Sequence, residues 1–215
     1  MKTFLALFIA SLLFVMPVYA ETYFNVGTGL TQFQRTTPDG TWYQEALPHN
    51  FDLIDIAFRS NLEYEFAEHW SVSGGYVNLG TSKVRADAVA DKDYDLATHT
   101  CLTNCKHPKD FNVKDNLSGP ELFVTYKFLI GPVQPYVTAG GSYMFHSLKG
   151  TANTFKFETD GNIVMGRVGG GVCYGYLCGD VTYYHGMTGQ DEAKFPISQR
   201  AITSMVFLSL PLTGW

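Results

Sequence analysis

The sequence lacks any apolar stretch long enough to cross a bilayer as a helix. Its first apolar run, from Phe4 to Met16, is shorter than the roughly 18 residues that a membrane-spanning helix requires. Later apolar stretches are interrupted by charged residues or glycines. A membrane protein built from helices is therefore not expected.

Charge is also scarce, and no block of the chain carries a single sign. Only 16% of the 215 residues are charged, and the formal net charge is −5. A nucleic-acid partner would require a basic patch or stripe, so none is expected. Aromatic residues make up 15% of the chain, which also has 21 glycines. This composition is typical of short strands joined by tight turns.

The first 20 residues have the pattern of an export signal. Met1-Lys2 is followed by the apolar run, by Pro17 and by the small-residue cleavage pattern Val18-Tyr19-Ala20. The sequence predicts a signal peptide over residues 1–20 and one mature domain over residues 21–215, a length that suits a single barrel or sandwich.

There are only four cysteines, and they lie in two close pairs. Because an exported chain enters an oxidising compartment, two local disulfides are predicted, Cys101–Cys105 and Cys173–Cys178. A zinc or copper site formed by the first pair with His99 and His107 is the alternative. It would need reduced thiolates, so neither a metal nor another cofactor is predicted.

A strict two-residue alternation runs from Ile54 to Phe66. The even positions are apolar or aromatic except for Ser60, whereas the odd positions carry the charges Asp55, Arg59, Glu63 and Glu65. A helix would scatter these charges around its axis, so the segment is predicted to be a strand with one apolar face.

Comparable segments recur along the chain, each about the 9 to 11 residues that a tilted transmembrane strand needs. The eight predicted strands contain Tyr23–Gln34, Ile54–Phe66, Trp70–Leu79, Leu122–Phe128, Gln134–His146, Val164–Val172, Asp180–Tyr183 and Ile202–Leu212. The predicted fold is all-β, an eight-stranded antiparallel up-and-down transmembrane barrel.

The predicted connections alternate between short and long. Short joints lie at Ala67–His69, Ile130–Pro132 and Tyr174–Leu177, and long ones at Arg35–Asn50, Ser82–Asn116, Leu148–Asp160 and Thr188–Pro196. Outer-membrane barrels have short periplasmic turns and longer external loops, so both chain ends are predicted to be periplasmic. An interfacial aromatic girdle is predicted beside the short turns, formed by Tyr64, Phe66, Trp70, Tyr126, Phe128 and Tyr174.

Several strand motifs carry a family resemblance. They are Trp70-Ser71-Val72, Gly75 to Gly80, Pro135-Tyr136-Val137, Ala139-Gly140-Gly141 and Gly166 to Val172. The mature chain resembles the OmpA-like, OmpW-like and opacity-protein group of eight-stranded outer-membrane barrels. The resemblance implies this fold and location in the bacterial outer membrane, and it implies a function only loosely because these motifs are strand patterns.

The charges on the predicted inner face are the most informative chemical feature. They are Asp55, Arg59, Glu63, Glu65, Glu121, Lys127, Arg167 and Asp180. An eight-stranded barrel is only wide enough for side chains to fill it, so opposite charges are expected to pair as a polar plug. A gated ion path through the same charges is the alternative, and an apolar conduit is less favoured because it would need an apolar lumen.

An enzymatic alternative centres on His185, whose strand loosely resembles the one that carries the catalytic histidine in lipid A deacylase barrels. That family has a serine two residues after the histidine, whereas Met187 stands here. Thr188 or Ser198 with Glu192 would have to complete the site. An interfacial histidine is the preferred interpretation, and no catalytic residue is predicted.

The sequence therefore predicts a non-enzymatic outer-membrane scaffold whose loops serve membrane integrity, surface interaction or adhesion. Its expected partners are outer-membrane lipid and lipopolysaccharide, the barrel-insertion machinery and a possible surface ligand bound through residues 82–116, because loops on a rigid scaffold often carry binding. A small porin-like channel and a lipid A deacylase-like hydrolase are the alternatives.

Overall fold

The computed structural model describes residues 21–34, 50–52, 54–86, 94–95, 100–101, 111–128, 131–152, 155–188 and 200–212. Within these ranges no helix is long and apolar enough to cross a membrane.

Eight long strands occur within the described residues. In chain order they are β1 (Glu21–Gln34), β2 (Ile54–Ala67), β3 (Trp70–Ala86), β4 (Phe111–Lys127), β5 (Val133–Ala152), β6 (Phe155–Tyr174), β7 (Leu177–Thr188) and β8 (Arg200–Pro211). Each pairs antiparallel with the next. β1 also pairs with β8, from Tyr23 opposite Pro211 to Gln34 opposite Arg200. The sheet closes on itself, which confirms the predicted eight-stranded antiparallel barrel.

Side chains alternate between the outside of the barrel and its lumen. In β2, Ile56, Phe58 and Leu62 are exposed on the outside, whereas Arg59 and Glu63 are buried inside. Successive side chains of a strand point to opposite faces, so one sequence pattern supplies both surfaces. The buried core of this fold therefore lies in the lumen.

Short connections join strands at one end of the barrel, which we call the turn end. They are the two-residue turns Glu68–His69 and Gly175–Tyr176 and the connection over residues 128–132, in which Gly131–Pro132 forms a turn. Gly131 and Gly175 have φ angles of 62° and 59°, which glycine adopts without steric cost. The first residue of β1 and the last of β8 lie at this same end.

The strands are longer than predicted, at 12 to 20 residues each. Two predicted loop boundaries are therefore wrong. Ser82–Ala86 and Phe111–Asn116 belong to β3 and β4, and most of Leu148–Asp160 belongs to the hairpin of β5 and β6. Their apolar–polar alternation is confined to short stretches such as Phe111 to Lys114 and Phe155 to Glu158, separated from the mid-strand residues by polar residues and glycines, so periodicity did not reveal them.

Other parts of the predicted long connections are described only in short pieces. Asn50–Asp52 pairs with residues 83–85 of β3, and Tyr94–Asp95 pairs with Thr100–Cys101. Residues 35–49 and 189–199 lie outside the described residues, as does Cys105, so the predicted Cys101–Cys105 disulfide stays a prediction.

Two adjacent glycines of β3 face very different surroundings. A Cβ atom on Gly75 would lie 2.2 Å from the Ser60 carbonyl oxygen and 2.4 Å from the Asn61 Cβ atom, both on β2. A Cβ atom on Gly74 would meet only the Leu122 Cδ1 atom, at 3.7 Å. Close packing of β2 against β3 therefore depends on Gly75.

We expect Gly75→Ala to lower the free energy of unfolding by about 1–3 kcal/mol, because β2 and β3 must move apart to admit the methyl group. Gly74→Ala, the matched control, should change it by less than about 0.5 kcal/mol. Urea unfolding of the purified protein in nonionic detergent, followed by tryptophan fluorescence, measures both. Equal stability of the two variants would contradict the prediction.

Candidate functional site: the barrel interior

The most deeply buried charges lie at mid-height in the lumen and form what we call the central cluster. It consists of Arg59 from β2, Glu121 from β4, Arg167 from β6, and Asp180 and Tyr184 from β7. Arg59 and Arg167 are only 4% and 3% exposed. Four strands therefore contribute to one buried group of side chains.

Ion pairs and hydrogen bonds connect all five members of the central cluster. The Arg59 guanidinium lies 2.6 Å from Asp180 Oδ2 and 3.1 Å from Glu121 Oε1. Arg167 Nη1 lies 3.3 Å from Glu121 Oε2, which also accepts a hydrogen bond from the Tyr184 hydroxyl at 3.0 Å. Two guanidinium groups thus face two carboxylates, which keeps the buried charge balanced.

An aromatic ring also contributes to this arrangement. The Arg167 guanidinium carbon lies 3.6 Å from the ring centroid of Phe123, within the range of a cation–π contact. Arg167 Nη2 donates longer hydrogen bonds to Thr138 at 3.5 Å and Thr182 at 3.4 Å. Arg167 is therefore held from β4, β5 and β7 at once.

A second group of charges lies nearer the turn end and forms the turn-side cluster of Lys127, Glu63, Glu65, Asn25 and Ser71. The Lys127 ammonium lies 2.7 Å from Glu63 and also pairs with Glu65. Glu63 accepts hydrogen bonds from Ser71 at 2.7 Å and from Asn25 at 2.9 Å. Here two carboxylates face one ammonium group.

Asp55 belongs to neither cluster, although the sequence pattern grouped it with the inward charges. Its carboxylate accepts a hydrogen bond from the backbone N–H of Thr81 at 2.6 Å and another from the N–H of Ile56 at 2.9 Å. It lies beside Gly80, whose φ is 88°, where the register of β3 against β4 shifts. The Asp55 carboxylate therefore binds backbone groups at a bulge in the barrel wall.

Sequence reasoning missed an apolar plug on the far side of the central cluster from the turn end. Together with Tyr184 of the central cluster, this plug contains Phe33, Val77, Leu79, Leu117, Met144, Ile163, Met165 and Ala201, each at most 3% exposed. The sequence pattern could have revealed it, because Leu117 lies four residues before inward Glu121 and therefore on the same face of the strand. The lumen beyond the central cluster is therefore largely apolar, and the polar residues Ser82, Asp115 and His146 are also buried in that half.

A cavity of about 870 Å³ occupies the half of the lumen nearer the turn end, and we call it the turn-side cavity. Its walls include Tyr23, Asn25, Glu63 and Lys127, and its deepest lining residues are Arg59 and Asp180. Glu68 lies in a turn at its mouth. The cavity thus ends at the central cluster.

The predicted disulfide Cys173–Cys178 is present and lies at the wall of this cavity. The two residues are opposite each other on β6 and β7, next to the Gly175–Tyr176 turn. The bond joins two strands that are already paired, so it fixes the end of one hairpin. The cavity is therefore covalently braced at its mouth.

The structure shows only part of the surroundings of His185. Its Nδ1 atom lies 3.5 Å from the Tyr183 hydroxyl, and the two rings are stacked with centroids 6.2 Å apart. Glu192 and Ser198 lie outside the described residues. Among the residues that are described, no group of three or more His, Cys, Asp or Glu could hold a metal ion.

Comparison with known proteins gives structural matches alone. No protein-family model matches the chain, and no curated protein sequence does. Three similar solved structures are the attachment invasion locus protein Ail of Yersinia pestis in complex with the heparin analogue sucrose octasulfate, Neisserial surface protein A, and the N-terminal β-barrel domain of Pseudomonas aeruginosa OprF.

The similarity to all three is distant. Ail is 11% identical with a TM-score of 0.48 and covers 91% of this chain and 100% of its own. Neisserial surface protein A is 11% identical with a TM-score of 0.46, and the match covers 89% of this chain and 98% of its own. The OprF domain is 10% identical with a TM-score of 0.41, and the match covers 89% of this chain and 97% of its own. At this distance the matches say nothing about what the chain binds, and the barrel is established by its own strand pairing.

We expect Arg59→Met to lower the free energy of unfolding by about 3–5 kcal/mol, because Glu121 and Asp180 would remain buried opposite Arg167 alone. Adding Asp180→Asn should recover part of this loss, since one carboxylate and one guanidinium would then face each other. Urea unfolding in detergent measures both variants. A double variant no more stable than Arg59→Met would rule out charge imbalance as the cause.

Proposed function

We propose that the protein is a non-enzymatic barrel of the bacterial outer membrane, closed to ions, that presents its long-connection end at the cell surface. The observation that carries this proposal is a continuous apolar outer face around a polar, ion-paired interior. Lipid solvates apolar side chains but cannot satisfy open strand edges, so a closed barrel of this polarity suits a bilayer.

The outer face supports a membrane location through its extent as well as its polarity. Exposed apolar side chains occur on all eight strands, including Leu30, Leu62, Tyr76, Leu122, Val137, Val168, Val181 and Leu208. Along β2 the outward series from Ile54 to Phe66 spans about 30 Å once a typical strand tilt is included. That height is enough to cross the hydrocarbon region of an outer membrane.

Aromatic side chains near the turn end support the same placement. Trp70 and Tyr126 have ring centroids 4.9 Å apart, and Tyr126 and Phe128 have centroids 5.0 Å apart. Trp70, Phe128 and Tyr174 are exposed on the outside. Tryptophan and tyrosine favour the membrane–water boundary, so this girdle suits the edge of a bilayer at the periplasmic side.

The interior favours a closed scaffold over the channel alternative. An ion entering the turn-side cavity would reach the central cluster, whose charges already pair with one another, and then the apolar plug. Removing the hydration shell of an ion in such surroundings is costly. The lumen is thus blocked by two layers of different chemistry.

The opposite end of the barrel is the part proposed to meet the exterior. The hairpin of β5 and β6 extends there with exposed polar side chains, and Lys149 lies 2.5 Å from Glu158 across it. We propose that this end and residues 82–116 contact lipopolysaccharide or a surface ligand. Export through a signal peptide over residues 1–20 and delivery by the barrel-insertion machinery belong to the same proposal.

We expect the purified protein to give no discrete conductance steps in a planar bilayer. Reduction of Cys173–Cys178 should leave the bilayer silent, because the central cluster and apolar plug lie deeper than the disulfide. Flotation of the same preparation with liposomes serves as the control that the barrel has inserted. Reproducible steps that shift when Arg167 or Glu63 is neutralised would establish the channel alternative instead.

We also expect no release of fatty acids from lipopolysaccharide by the purified protein, as measured by mass spectrometry of the extracted lipid. Release that disappears in His185→Ala would contradict a non-enzymatic function.

A further inference from the structure

We propose that the turn-side cavity binds an aliphatic polyamine, with ammonium groups held by carboxylates and aromatic rings of the cavity wall. The statement that this ligand comes from the periplasm rests on the proposed function. Binding of the ligand in the cavity does not depend on it. A cavity of about 870 Å³ falls in the size range typical of sites for small molecules.

The first observation is an excess of negative charge in the cavity. Five carboxylates line it, from Glu21, Glu63, Glu65, Glu68 and Asp180, against the two cationic groups of Arg59 and Lys127. Arg59 is already engaged by Asp180 and by Glu121 behind it. Narrow walls concentrate the field of such a cleft, which favours a positively charged ligand.

The second observation is independent of net charge. Asp180 Oδ1 and Asn25 Oδ1 are buried acceptors with no hydrogen-bond partner among the described residues. Both residues line the cavity, and they are only 7% and 4% exposed. Buried polar atoms are normally hydrogen-bonded, so the wall of the cavity has hydrogen-bond acceptors that its own residues leave unused.

The third observation is that the cavity already holds one alkylammonium group, that of Lys127. Its Nζ atom pairs with Glu63 and Glu65 and lies 5.2 Å from the ring centroid of Tyr23. Two carboxylates and one ring face are the surroundings in which an amine is well recognised. Glu21 and Glu68 at the mouth and Asp180 in depth offer further carboxylates along the same space.

The arrangement favours an organic cation over a metal ion. Among the described residues, the acidic side chains do not converge into a group of three that could hold a metal. They are instead distributed from the mouth to the floor, and the aromatic residues Tyr23, Tyr136 and Phe123 also line the cavity. A flexible chain that carries several amines matches this spacing of charge and apolar surface.

The test is isothermal titration of spermidine into the purified protein in nonionic detergent at low salt. We expect saturable binding of one molecule per barrel, which weakens as sodium chloride is raised. The double variant Glu21→Gln with Glu68→Gln should bind about tenfold more weakly, since two exposed carboxylates at the mouth are lost. Glu158→Gln, at the opposite end of the barrel, should bind as the unmodified protein does.

A variant that changes the shape of the cavity but not its charge distinguishes binding inside the cavity from binding to the charged surface around it. Ser209 lines the cavity, and Ser209→Trp should narrow it and weaken spermidine binding without changing any charge. Heat-dependent mobility on a detergent gel checks that this variant is folded; if it is not, Ser209→Phe replaces it. An unchanged affinity for spermidine in the folded, narrowed variant would overturn the proposal.

Two further probes exclude trivial explanations. Triethylene glycol, which has a similar length and no charge, should not bind. Magnesium chloride at the ionic strength of the spermidine titration should compete only weakly, and equal displacement by magnesium would overturn the proposal. Failure of spermidine to bind a barrel that is silent in bilayers would remove this inference and leave the proposed function intact.

Discussion

The pairing of β1 with β8 is the constraint on which the other features of this molecule depend. Because Tyr23 to Gln34 pair along Arg200 to Pro211, the described strands close into a ring with no open edge over that height. Closure also assigns each side chain either to the outer surface of the barrel or to its narrow lumen. The apolar band, the buried ion pairs and the turn-side cavity all follow from that separation.

The mid-strand regions were predictable from the sequence because their two faces meet opposite environments. In Ile54 to Phe66 every change of polarity marks a change of face, so the strand, its orientation and its charged side could be derived together. The same reasoning failed at Ser82–Ala86 and at the hairpin of β5 and β6, where polar residues and glycines break up the alternation and Lys149 pairs with Glu158 across the ladder. Strand pairing continues there although each alternating stretch is too short to be recognised as a strand.

The sequence predicted which charged side chains face the interior, but not which of them pair with one another. The sequence placed Arg59 and Asp180 on inward faces, yet they are 121 residues apart, and their contact follows from the stagger of eight strands. Asp55 shows the reverse case, since a shift of register at Gly80 directs its carboxylate to the backbone of Thr81. The apolar plug is harder to predict, because inward apolar residues such as Leu117 and Met165 remove the difference in polarity between the two faces of their strands.

The unequal lengths of the strands give the barrel a sloping rim. β5 and β6 each have 20 residues, whereas β7 and β8 have 12, and each of the four has one of its ends at the turn end. With ordinary strand rise and tilt, the difference raises one flank by about 20 Å above the other, as far as the described strands define it. A bulky molecule approaching that end would meet a one-sided wall, so its orientation would be restricted before any individual contact formed.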